Sequence, residues 1–240
     1  MNSKHILTIL LCLGVTIANA RQADKTNSME PIEQKITFSS EGEQITGRLL
    51  LPPTYKNDQK LPVIIVVGPW TQVKEQIQYF YGRRLAKRGY AVLNFDFRYW
   101  GESGGQPRSY ESTSEKIKDV LNAISYVKTN KALDAEDISV IGVCAGAGLA
   151  VRASTLAPDV KRIATVAAWL QHPSSTTAFY GADDGVQKRI TLSENARKKY
   201  NDSGTVDYVE AYNPNDPRAA MFFPLDYYGN PQRGAVPQWK

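Results

Sequence analysis

Gly142-Val143-Cys144-Ala145-Gly146 sets a thiol between two glycines, where the short apolar run "ISVIGV" meets a stretch of Ala and Gly at helical density. In a strand-to-helix elbow of this form the central residue is forced into a strained backbone conformation, and the residues two positions away must be small for the chain to pass. Such a turn places the central side chain at a helix N-terminus, where free N–H groups and the helix dipole favour thiolate over thiol. The chemistry on offer is attack by sulfur on an acyl carbon. A phosphate loop would need Lys followed by Ser or Thr, and Leu149-Ala150 stand there instead. A dinucleotide fingerprint starting at Gly146-Ala147-Gly148 would put its third small position on Val151, with no acidic residue ending a following strand. A cysteine merely packed in a tight turn stays open on these five residues alone, because Gly and Ala also permit close helix-sheet packing.

A thiol that turns over needs an imidazole to move protons and an acid to orient it. The chain has two histidines. His5 lies in an N-terminal apolar leader, and His172, in "WLQHPSS", reads as a loop residue before Pro173. Asp183 and Asp184 precede a helical pattern and read as helix-start residues. No acid or base is assigned from the sequence, and neither a metal nor a cofactor is expected.

Strands alternating with helices must position the elbow. "KITFSS" and "ITGRLLLPP" read as a hairpin joined by the turn-prone "EGEQ", and "LPVIIVVG" as a strand buried on both faces. Val73, Ile77, Phe80 and Leu85 predict a helix that Gly89 stops. "YAVLNFDF" is the next strand, and Ile117, Val120, Leu121, Ile124 and Val127 mark a second amphipathic helix. "ISVIGV" and "RIATVAAWL" complete the series, with the small-residue helix after Cys144 between them. This order predicts an α/β fold with a mainly parallel sheet covered by helices on both faces. From "QHPSSTTAF" onward the chain is rich in Pro, Asn, Asp and Tyr, which predicts an irregular, lid-like segment over 171–240 with one helix near 186–200.

"NFDFRYWGESGGQPR" resembles the loop after the fourth strand of the α/β-hydrolase superfamily. With "VVGPWTQVKEQ" and the cysteine elbow, three motifs stand in the expected order over most of residues 35–240, and the chain resembles bacterial dienelactone-hydrolase-like and YcjY-like α/β hydrolases, near the X-Pro dipeptidyl-peptidase group. The resemblance implies an esterase, lactonase or related acyl-transfer hydrolase. Cys144 matches the nucleophile, a position where most relatives carry Ser, and the N–H of Ala145 matches the first oxyanion donor. Pro69 has no N–H, so Trp70 is expected to give the second donor, with Thr71 next in line. Asp96, Arg98, Glu102 and Ser103 are expected to form an ion-paired loop beside the site. By the same resemblance the triad acid and His belong after strands seven and eight, which are not recognisable here, so the chain reads as incomplete. The alternative function is a degenerate homologue that binds a ligand or partner without turnover.

Residues 1–20, "MNSKHILTILLCLGVTIANA", have a cationic start, a short apolar run and an Ala-Asn-Ala end, and read as a secretory signal peptide. A single domain over 21–240, periplasmic or secreted and free of the membrane after cleavage, is expected to follow. Removing Cys12 leaves Cys144 as the only cysteine, so no intramolecular disulfide can form. The formal charge of +5 is spread among interleaved acids rather than gathered in a stripe, which argues against a nucleic-acid partner. The expected partner is a small ester or acyl substrate.

Overall fold

The computed structural model describes residues 29–170 and 172–239; the signal-peptide reading lies outside them. Strands β1 (Ile32–Ser40) and β2 (Glu43–Leu51) form the expected hairpin, with Phe38 opposite Ile45. Its turn is Glu41-Gly42, both at positive φ (50° and 87°), the requirement of a two-residue hairpin whose twist matches the strands. Strands β3 (Leu61–Val67), β4 (Ala91–Phe95), β5 (Leu133–Val143) and β6 (Val160–Val166) complete one six-stranded sheet in the order β1-β2-β4-β3-β5-β6. The hairpin joins antiparallel through Leu49 opposite Leu93, whereas β4, β3, β5 and β6 run parallel.

Successive side chains of a strand point to opposite faces, and here both faces of the central strands are covered. Leu49, Val63, Ile65, Leu93 and Phe95 pack with Val120, Ile124, Leu149 and Ala150 of helices α2 (Thr113–Thr129) and α3 (Ala145–Leu156). Their neighbours Leu50, Ile64, Val66 and Val92 form a second cluster under helix α1 (Ile77–Ala86). Each fully buried Leu or Ile contributes roughly 1.5–3 kcal/mol, so these strands dominate stability. Helix α2 buries the predicted stripe of Val120, Ile124 and Val127, and its N-cap Ser112 accepts the N–H of Glu115.

Helix α1 departs from the expected pattern. Its buried face is Gln78, Gly82 and Ala86, while Phe80 is 48 % exposed with the Arg84 guanidinium over its ring. Gly82 sets that face, because a Cβ there would lie 2.5 Å from Leu50 Cδ1. The segment after β6 also differs, being far more helical than expected. Helices α4 (Pro173–Tyr180) and α5 (Ala182–Ser203) form a hairpin, and a one-turn helix α6 (Asp226–Gly229) follows. Neither α4 nor α5 has a buried residue. The aromatics Trp169, Phe179, Phe222 and Phe223 tie this segment together edge to face. Strand β6 ends at Val166, earlier than "RIATVAAWL" suggested, and Ile163 in its middle is 46 % exposed.

Candidate active site

Cys144 stands between the end of β5 and the first turn of α3, with φ 54° and ψ −121°. That left-handed backbone is costly for a residue with a Cβ, on the order of 1–3 kcal/mol, and persists only where its surroundings over-determine it. The two glycines supply that constraint. A Cβ on Gly142 would lie 2.5 Å from the Ala147 Cα, and one on Gly146 would lie 2.4 Å from the Gly68 carbonyl oxygen and 2.5 Å from that of Val67. The elbow is thus pressed backbone to backbone against the end of β3. The N–H of Cys144 donates to Val166 and its carbonyl accepts from Trp169, which ties the turn to β6 and to the start of the C-terminal segment.

The thiol is half-buried and free. Burial pushes its pKa above the ordinary cysteine range, and the N–H of Ala145 offsets this only in part. Desolvation therefore works against the thiolate that a helix terminus favours.

The loop from Gly68 to Gln76 begins where Gly68 meets the elbow. Thr71 takes φ 61°, and its N–H donates to the Glu111 carboxylate at 2.8 Å, so it is committed elsewhere. The N–H of Trp70 has no acceptor among the described residues. Glu111 is itself held by Lys116 at 2.7 Å, whose ammonium lies over the Phe97 and Trp100 rings.

Two buried ion-pair networks fix this loop and the one after β4. Lys74, 1 % exposed, reaches Asp96 and Glu102 at 2.7 Å and Glu75 at 3.0 Å. Asp96 also accepts the N–H groups of Lys74 and Glu102, so one carboxylate clamps both loops. Burial raises the pKa of Asp96; the hydrogen bonds from Lys74 and Lys35 bring Glu102 down to about 2. Burial opposes the charge of Lys74, yet the surrounding carboxylates hold its pKa above the usual value. In the second network Arg98 donates to Asp119 and to the Ser40 hydroxyl, and pairs with Glu115. Ser103 closes the loop by donating to the Asp96 carbonyl and accepting from the N–H of Thr46. Sequence marked Asp96, Arg98, Glu102 and Ser103; it did not reveal Lys74 and Asp119, whose partners lie 22 and 21 positions away.

His172 is the imidazole of the described residues, and it caps α4. Its Nδ1 accepts the N–H of Ser174 and lies 2.8 Å from the Ser174 hydroxyl. Asp183 and Asp184 lie in the first turn of α5, as expected of helix-start residues. Among the described residues no cluster of His, Cys, Asp and Glu suits a metal ion. No helix among them is long and apolar enough to cross a membrane. The cleft lined by Val73, Tyr99, Trp100, Arg108 and Trp239 contains neither Cys144 nor Gln72.

A mainly parallel sheet in this strand order, with a strained elbow after its fifth strand, is the architecture of the α/β hydrolases. Residues 41–202 match the X-Pro dipeptidyl-peptidase (S15) family, and the chain belongs to that family. It is 34 % identical to the uncharacterized protein PA2218 of Pseudomonas aeruginosa over 213 residues, covering 85 % of this chain and 56 % of that one. The crystal structure of the hypothetical protein PA2218 superposes with a TM-score of 0.74 at 28 % identity, covering 88 % of this chain and 67 % of that one. The uncharacterized protein YcjY of Escherichia coli is 30 % identical over 57 % of this chain and 46 % of its own length. The thiohydrolase aneE of Aspergillus aculeatus is 26 % identical over 59 % of this chain and 43 % of its own. The chain spans about half the length of the curated relatives it matches.

Proposed function

We propose that the chain carries the nucleophilic half of an exported acyl hydrolase, with Cys144 as nucleophile and the N–H groups of Ala145 and Trp70 as oxyanion donors. The observation that carries this reading is the positive φ of Cys144 at a strand-to-helix junction whose flanking glycines admit no Cβ. Strain of this kind has no packing benefit of its own, and in the loop after β3 the N–H of Trp70 has no acceptor among the described residues. The name of the relative thiohydrolase aneE agrees with ester or thioester carbonyls as the substrate class.

In the proposed step the thiol loses its proton to solvent, sulfur bonds to the carbonyl carbon, and the carbonyl oxygen becomes an oxyanion held by the two N–H groups. Collapse breaks the bond to the leaving group, which departs with its electron pair. Hydrolysis of the thioester then needs a water deprotonated by a positioned base, a contribution of about 100 to 10,000 fold. The imidazole of His172 is engaged at the start of α4. This 240-residue chain should therefore show a burst of acylation followed by slow turnover.

Stopped-flow release of p-nitrophenolate from p-nitrophenyl acetate tests the proposal. One equivalent per chain, abolished in Cys144→Ala, is expected. Absence of a burst, or one that survives Cys144→Ala, would overturn the nucleophile and leave the binding-protein alternative. Export is tested separately by the mass of periplasmic material, which should begin at Arg21.

A further inference from the structure

One residue of the loop after β3 carries several costs at once. Thr71 is β-branched yet sits at φ 61°, it is 3 % exposed, and its hydroxyl is buried without a partner among the described residues. A β-branched residue in the left-handed region is an outlier that persists only where its surroundings impose it. Two side chains from distant parts of the chain impose it here. The Glu111 carboxylate accepts the Thr71 N–H at 2.8 Å, and the Trp239 indole donates to the Thr71 carbonyl at 2.6 Å, across 40 and 168 positions.

The clamp is itself braced. Glu111 stands just before Ser112, the N-cap of α2, and the Lys116 ammonium reaches its carboxylate at 2.7 Å from within that helix. The Thr71 N–H and the Lys116 ammonium both meet the same oxygen, Oε1. On the other side of Trp70, the Gly68 carbonyl is pressed against Gly146 of the elbow, where a Cβ would lie 2.4 Å away. Just Pro69 and Trp70 lie between these two fixed points, and the proline ring locks its own φ. The direction of the Trp70 N–H, which has no acceptor among the described residues, is therefore set by the elbow on one side and by Thr71 on the other.

We propose that Glu111 and Trp239 are positioning residues: by holding the two peptide groups of Thr71 they aim the Trp70 N–H at the oxyanion formed when Cys144 attacks a carbonyl. The inference rests on the reading of Cys144 as nucleophile and Trp70 as donor. Neither side chain needs to touch the substrate. A donor stabilises the transition state only while it is held where charge develops, so release of Thr71 should slow acylation without altering the sulfur.

Two reagents separate these effects. p-Nitrophenyl acetate acetylates sulfur through an oxyanion, whereas iodoacetamide alkylates it at a tetrahedral carbon: the C–S bond forms as iodide leaves with its electron pair, and no oxyanion arises. Rates at Cys144 are followed by peptide mass spectrometry on the folded chain. Glu111→Ala should slow acetylation by about 10- to 100-fold, less than outright loss of a donor, and leave alkylation within about twofold of the parent. Where the stranded Lys116 prevents folding, Glu111→Ala combined with Lys116→Met takes its place. Glu111→Gln, whose amide oxygen can accept both bonds, should restore acetylation to within about threefold of the parent. Trp239→Phe keeps a ring and removes the indole N–H, and should slow acetylation by about 3- to 10-fold, the worth of one ordinary hydrogen bond, with alkylation unchanged. Variants that slow both reactions alike, or neither, would overturn the clamp, as would a Glu111→Gln chain as slow as Glu111→Ala. A parent chain that either reagent leaves unmodified at Cys144 contradicts the nucleophile itself, and the clamp falls with it.

Discussion

The molecule from β1 to α3 and the segment from α4 to α6 obey different physics. In the first, helices bury residues against a sheet: Val120, Ala123 and Ile124 of α2 and Ala147, Ala150 and Ala153 of α3 are all nearly inaccessible. In the second, α5 runs for 22 residues with none buried, and its order comes from caps, exposed ion pairs and edge-to-face aromatics. The first region can hold a strained residue such as Cys144, because rigid packing over-determines it. The second, whose two main helices bury no residue, supplies no such constraint.

The sharpest way to break the comparison is to delete one carboxylate from each region. Asp119 is wholly buried and binds Arg98, itself 3 % exposed, whereas Asp202 pairs with Lys198 in solvent on α5. Asp119→Ala strands a buried charge and should cost about 3–5 kcal/mol in urea unfolding. Asp202→Ala should cost less than about 0.5 kcal/mol. Similar losses would show that the C-terminal segment is as tightly integrated as the sheet.

Glycines sharpen the same contrast. Gly146→Val drives side-chain atoms into the Gly68 and Val67 carbonyls, a clash that flexible side chains cannot relieve, and should cost about 3 kcal/mol or more together with loss of Cys144 reactivity. Gly204 ends α5 at φ 70° with open space around it, so Gly204→Ala should cost only about 1–2 kcal/mol of backbone strain. Thermal unfolding of the two variants separates them.

The smallest effect depends on pH. Glu102 has its pKa lowered to about 2 by Lys74 and Lys35, so its contribution is complete above the unfolded carboxyl value of 4.5 and lost as pH falls towards 2. The side chain is half exposed, and solvent screening limits the contribution to under about 1 kcal/mol. Glu102→Gln should therefore be slightly less stable than the parent at pH 7 and equal to it near pH 2. A gap that persists in acid would mean that packing, not charge, joins Glu102 to Lys74.

The contrast also explains what the sequence made legible. Strands β3, β4 and β5 are continuous apolar runs, and α2 repeats its apolar residues at helical spacing, so local pattern and tertiary burial agree there. The elbow was legible because sterics of the turn dictate Gly142 and Gly146 locally. On α1 the pattern misled: Phe80 is apolar yet outside, and Gln78 is polar yet buried, since Gly82 turns that face to Leu50. Helices α4 and α5 gave little signal because they bury no stripe. The meeting of the Trp239 indole with the Thr71 carbonyl was invisible, being a contact across 168 positions.

The central claim is that the rigid half presents Cys144 as a reacting nucleophile. Its most direct test is intact and peptide mass spectrometry of the folded chain quenched in acid shortly after mixing with p-nitrophenyl acetate. One acetyl group per chain, located on Cys144 and lost only slowly, is the predicted result. A chain that stays unmodified at Cys144 while denatured protein is acetylated there would contradict the account and leave Cys144 a packed thiol in a tight turn.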